Sequence, residues 1–71
     1  KAEKDSCQLS DREKQVVRRI GQGLSNKAIA VDLDISLSTA DTYVKRVFAK
    51  LEVNDRIGAT IKALEKGVLL L

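Results

Sequence analysis

Apolar residues recur three and four positions apart in four short runs of this 71-residue chain, each behind a serine or asparagine able to cap a helix. That spacing lines one side of an α-helix; in a strand, alternate residues share a face instead. The first run is Val16, Val17, Ile20 and Leu24, behind Leu9-Ser10-Asp11-Arg12-Glu13. There a serine stands three residues before a glutamate, the reciprocal pair that satisfies free amides at a helix start. Gly21 and Gly23 supply the residues on which such a helix stops. Ser25 introduces a short second helix, with Ile29 and Leu33 on one face and Ala30 leaving room for a neighbour. Asp34 tolerates the left-handed backbone of a tight turn, after which Ile35 enters the core.

Ser38-Thr39-Ala40-Asp41 repeats the pattern of a cap followed by an acid. Val44, Val47, Phe48 and Leu51 then form the buried stripe of a third helix, the longest. Asn54 is read as the cap of a fourth, with Ile57, Ile61 and Leu64 as its inner face and Lys66-Gly67 as its stop. The expected fold is therefore all-α: a four-helix, bundle-like domain containing a helix-turn-helix, with helices at about 10–22, 25–33, 38–52 and 54–66.

Composition narrows the class further. Hydrophobic residues make up 44% of the chain but aromatics only 3%, so the interior must be built from Leu, Ile, Val and Ala, a mixture that suits packed helices. A chain of this length makes one domain, assigned to 9–71, with Lys1 to Gln8 expected to be a linker or terminus. Thirteen basic and ten acidic residues give a mixed surface of net charge +3, on which placement matters more than the total. There is no histidine and one cysteine, Cys7. An intramolecular disulfide, Ser-His or Cys-His catalytic pairs and histidine zinc sites are thereby excluded, and a reducing cytoplasmic setting fits. With no phosphate-binding glycine loop and no acid cluster suited to a metal, neither an enzyme nor a cofactor is expected. Val68-Leu69-Leu70-Leu71 is far shorter than the roughly 20 apolar residues of a membrane span, and is expected to be core or a frayed end.

A short helix, a tight turn and a longer helix whose outer side is polar is the arrangement that sets a recognition helix into the major groove of DNA. Removing the stripe at 40, 44, 47, 48 and 51 leaves Ser38, Asp41, Thr42, Lys45 and Ala49 on one exposed side, flanked by Arg46 and Lys50. Thr42 and Lys45 are the first candidates for base contact: an ammonium can donate to guanine O6 and N7, and a threonine methyl can touch that of thymine. Ser25, Asn26 and Lys27 combine free amides, hydrogen-bonding side chains and a cation, which suits a phosphate. Ser38, Thr39, Arg46 and Lys50 are further phosphate candidates along the groove walls. For Ser25 a purely capping role, and for Lys45 a solvated one, fit the residues as well. Tyr43 is expected to pack against the second helix.

Taken together, Leu9-Ser10-x-Arg12-Glu13, Gly23-Leu24-Ser25-Asn26-Lys27-x-Ile29-Ala30, Ile35-Ser36-x-Ser38-Thr39, Val44-Lys45-x-Val47, Lys50-Leu51-x-Val53 and Asn54-x-Arg56 resemble the LuxR-type (NarL/FixJ) DNA-binding domains. The likeness runs from Leu9 to about Leu69. It implies a four-helix domain that regulates transcription with its third helix in the major groove of double-stranded DNA, as the output half of a two-component response regulator. It also implies weak homodimerisation through the fourth helix on inverted half-sites, with RNA polymerase a further candidate partner. Arg56, Ala59, Thr60 and Ala63 are the candidates for the dimer contact. The two alanines, four apart, permit a close helix approach, either to a partner or to the first helix.

Three residues depart from the family pattern, which usually carries valine, lysine and histidine near positions 40, 41 and 43, where this chain has Ala40, Asp41 and Tyr43. Asp41 can accept from a cytosine amino group, or stabilise the helix end from what is expected to be its third position. Either way an acid weakens nonspecific attraction to phosphates and shifts affinity toward dimerisation. Two other functions fit a helix-turn-helix: a sigma-factor-like promoter reader, and a protein-interaction module that no longer binds DNA.

Overall fold

The computed structural model describes residues 9–67; the expectations for Lys1 to Gln8, including Cys7, and for Val68 to Leu71 lie outside them. Four helices follow one another: α1 Asp11–Gly21, α2 Asn26–Leu33, α3 Leu37–Leu51 and α4 Arg56–Glu65, with no strand among the described residues. Ser10 closes the reciprocal cap on α1. Its Oγ accepts the Glu13 amide at 3.1 Å, and Glu13 Oε1 accepts the Ser10 amide at 2.9 Å. Ser25 caps α2 by accepting from the Ala28 amide at 3.1 Å.

Two caps differ from expectation. α3 is capped by Ser36 and not Ser38: Ser36 Oγ accepts the Thr39 amide at 3.1 Å, so Ser38 stands inside the first turn. α4 is capped by Asp55 and not Asn54; its Oδ1 accepts the Gly58 amide at 2.7 Å, and a carboxylate there also meets the positive end of the helix dipole. A Cβ on Gly58 would stand 2.9 Å from that oxygen, so the glycine keeps the cap open.

The first three helices stop in the same way. A residue with positive φ (Gly23 at 90°, Asp34 at 60°, Glu52 at 59°) reverses the backbone. The following amide then donates to a carbonyl five residues back: Leu24 to Arg19 at 3.0 Å, Ile35 to Ala30 at 2.9 Å and Val53 to Phe48 at 3.0 Å. Each of those amides belongs to an apolar residue that packs on the core, so hydrogen bonding and burial fix every turn together. Asp34 is the left-handed residue expected between α2 and α3; Glu52 was not foreseen in that role.

The core consists of Leu9; Val16, Val17 and Ile20 of α1; Ile29 and Ala30 of α2; Ala40, Val44, Val47 and Leu51 of α3; and Ala59 and Ala63 of α4. α1 and α3 each pack against every other helix, whereas α2 and α4 do not pack on each other. Phe48, expected in the stripe, is half-buried at its margin, and Tyr43 is half-buried against the core.

The inner face of α4 is the reverse of the one expected. Ala59 and Ala63 are fully buried, while Ile57 and Ile61 are 73% and 52% exposed. Small side chains let the α4 backbone come close to its neighbours, and a branched residue there would hold it off. The two alanines therefore belong to the monomer's interior and not to a dimer contact. None of the described helices is long and apolar enough to cross a membrane. Ala63→Leu should overpack this seam and cost about 1–3 kcal/mol in urea unfolding. Ile57→Ser should stay within about 0.5 kcal/mol of the parent chain; the opposite order would restore the isoleucine face to the core.

Candidate nucleic-acid interface

α2, a turn at Asp34, Ile35 and Ser36, and α3 form a helix-turn-helix. Burying Ala40, Val44, Val47 and Leu51 turns the other side of α3 outward, and Ser38, Thr39, Thr42, Lys45, Arg46 and Ala49 are all exposed. Thr42 and Lys45 stand three apart, on neighbouring turns of that surface. Thr42 is exposed, and its hydroxyl donates to the Ser38 carbonyl at 3.1 Å, which engages its proton within the helix. Thr39 Oγ1 accepts from the Ser36 hydroxyl at 2.9 Å and keeps its own proton to donate. Ser25 and Lys27 are exposed at the start of α2. Lys27, Lys45 and Arg46 make no hydrogen bond or ion pair among the described residues, so these three cations are available to an anion.

Other expected contact residues are engaged within the domain. Lys50 Nζ lies 2.8 Å from Glu13 Oε1, the same oxygen that accepts the Ser10 amide. The Glu13 side chain is only 4% exposed. Burial by itself raises the Glu13 pKa, but the Lys50 hydrogen bond and charge and the Ser10 amide and hydroxyl outweigh it, so the net shift is downward. Asn26 Nδ2 donates to Asp41 Oδ1 at 2.7 Å. Arg56 Nη1 donates to the Leu24 carbonyl at 2.9 Å, and its Nη2 donates to Asn26 Oδ1. Because α3 starts at Leu37, Asp41 is its fifth residue and not its third, too far along to act as a cap.

Of the four residues expected at a dimer contact, Ala59 and Ala63 are buried and Arg56 reaches back to α2. Thr60 is half-buried, with its hydroxyl donating to the Arg56 carbonyl at 3.0 Å. The outward apolar residues of α4 are Ile57 and Ile61, beside an open groove shared with Ile20 and Leu24. Neither the Glu13–Lys50 pair nor the Arg56–Asn26–Asp41 chain was foreseen. Their partners lie 15 to 37 residues apart, and no local spacing signals them.

The family model described as bacterial regulatory proteins, luxR family, matches residues 7–63. This chain belongs to the luxR family. The nitrate/nitrite response regulator protein homolog of Haemophilus influenzae is similar to it, 43% identical over 59 residues, which cover 83% of this chain and 28% of that protein. The transcriptional regulatory protein DesR of Bacillus subtilis is 41% identical over 59 residues, covering 83% and 30%. The nitrate/nitrite response regulator protein NarL of Escherichia coli K12 is 41% identical over 59 residues, covering 83% and 27%. The luxR-family chain thus spans less than a third of the length of these relatives. Its four helices and helix-turn-helix are those of a DNA-binding module of transcription regulation, as the resemblance implied.

Lys50→Met would leave the buried Glu13 carboxylate without its cation, and should cost about 1–3 kcal/mol at neutral pH. Since the Glu13 pKa is lower folded than unfolded, its contribution is complete above the unfolded value and is lost as pH falls through the folded one. Urea unfolding from about pH 7 to about pH 3 should therefore show a smaller acid loss in Glu13→Gln than in the parent luxR-family chain.

Proposed function

We propose that this chain is the DNA-reading output domain of a response regulator, and that α3 lies in the major groove with Thr42 and Lys45 at base edges. The observation that carries this reading is the outer side of α3, where Lys45 and Arg46 have no partner among the described residues while Ala40, Val44, Val47 and Leu51 bury the opposite side. Lys45 donates to guanine O6 or N7, and the Thr42 methyl touches thymine. Phosphate contacts come from Ser25 and Lys27 at the start of α2 and from Ser38, Thr39 and Arg46 beside α3. Asn26 and Lys50 instead bind Asp41 and Glu13 within the domain. Two of the relatives named above carry the words response regulator in their names, which supports the wider assignment. The role is binding, with no reaction catalysed, and acting on bacterial DNA places it in the cytoplasm.

A homodimer on inverted half-sites is the second part of the reading, supported by the exposure of Ile57 and Ile61 on α4. Two such faces related by a twofold axis bury each other, with Arg56 and Thr60 at the margin. Ile57→Asp with Ile61→Asp should abolish cooperative occupancy of inverted half-sites and leave urea stability nearly unchanged.

Anisotropy with a random-sequence duplex at increasing salt tests the DNA reading. Affinity should fall linearly in log–log form, and Lys27→Ala should weaken all sequences about equally while reducing the slope by about 1. Lys45→Ala should relax discrimination at particular base pairs by about 1–3 kcal/mol. Binding that ignores salt would favour the protein-interaction module instead.

A further inference from the structure

α2 and α4 do not pack on each other, yet they are joined. The Arg56 guanidinium, at the start of α4, donates through Nη1 to the Leu24 carbonyl and through Nη2 to Asn26 Oδ1 at the start of α2. The other end of the Asn26 amide donates to Asp41 Oδ1 on α3 at 2.7 Å. All three side chains are half-buried. A carboxamide accepts at one atom and donates at another in a fixed geometry, here with its oxygen toward the cation and its nitrogen toward the anion. Turned over, it would set its nitrogen against the guanidinium and its oxygen against the carboxylate. The charges of Arg56 and Asp41 therefore fix the amide, and the amide ties three helices at one point.

Asp41, on the same helix as Thr42 and Lys45, thus has a partner of its own across on α2. We propose that Asp41 is a positioning residue: through Asn26, and Arg56 behind it, its carboxylate fixes the seat of α3 on α2 and α4 and so sets how Thr42 and Lys45 are presented, without itself touching a base. This rests on the DNA reading proposed above, but the latch can be measured in the free chain. In α3 the core stripe fixes rotation about the helix axis. The latch adds a polar tie near the N-terminal end, where recognition takes place. Asp41 is specificity-determining because every base contact made by its neighbours depends on where the helix sits, and misplacement of about 1 Å is enough to lose such contacts.

Two measurements test this. First, in urea unfolding of the free chain, Asn26→Ala and Asp41→Ala should each destabilise. The double variant should be no worse than the weaker single one, a non-additivity of roughly tenfold in the folding equilibrium constant. N26D alone should be destabilised by two adjoining carboxylates. N26D with D41N should recover, because the exchanged pair again offers an acceptor to Arg56 and a donor facing an acceptor across the two helices. Second, selection from a randomised duplex library reads base preference. D41N keeps an acceptor for Asn26 and should keep the parent preferences, while D41A and N26A should both flatten preference across several adjacent base pairs. Additive losses in the free chain, with no recovery in the exchanged pair, would overturn the latch. Loss of preference at a single base pair in both D41N and D41A, with N26A unaffected, would make Asp41 a base reader and overturn the positioning role. If the parent chain selects no sequence and binds duplex independently of salt, the DNA reading and the positioning role fall together, and the unfolding cycle still decides whether the latch exists.

Discussion

Burial of Ala40, Val44, Val47 and Leu51 along one side of α3 is the contact on which the rest of this domain depends, since through it α3 packs against all three other helices. A helix committed to a core on one side is held in rotation, and whatever its other side carries is presented in a fixed array. The aliphatic interior suits this task. With two aromatics in the whole chain, the helices approach closely over Val, Ile, Leu and Ala, and a domain of this size gains stiffness from close approach that it cannot gain from bulk.

The polar groups do a different job from the apolar stripe. Every buried side-chain nitrogen and oxygen among the described residues has a partner, so these bonds add direction without leaving a desolvated group unpaired. Glu13 gathers the Ser10 amide and the Lys50 ammonium at one oxygen, and so joins the start of α1 to the end of α3. Asn26 does the corresponding work at the other end of α3, where Arg56 bridges the gap between α2 and α4. Two polar ties at opposite ends and an apolar stripe between them define where α3 lies, which is what a groove-reading helix requires.

What was legible in the sequence is what local chemistry decides. Ser10 with Glu13, Ser25 before α2, and the left-handed Asp34 all act within five residues of themselves, and each does what its type and spacing led one to expect. The start of α3 slipped by two because Ser36 and Ser38 are equally able to cap, and only the fitting of Ile35 into the core selects the first. Asp41 moved with it, from an end position to the fifth residue. α4 turns its alanines and not its isoleucines inward for a reason of size: Ile57 and Ile61 outweigh Ala59 and Ala63 in hydrophobicity, but a close helix seam takes the smaller pair. The cross-helix pairs of Lys50, Asn26 and Arg56 depend on which surfaces meet, and no single-chain spacing records that. The outward Thr42 and Lys45 were legible because they are defined by subtraction from a stripe that was itself local.

The central claim is that the side of α3 facing away from its core meets the duplex. Titrating the isotope-labelled chain with duplex DNA and following its amide resonances tests it most directly. The largest shifts should gather at Ser38, Thr39, Thr42, Lys45 and Arg46 and at the start of α2. Shifts confined to α4 around Ile57 and Ile61, with α3 and the start of α2 silent, would contradict it.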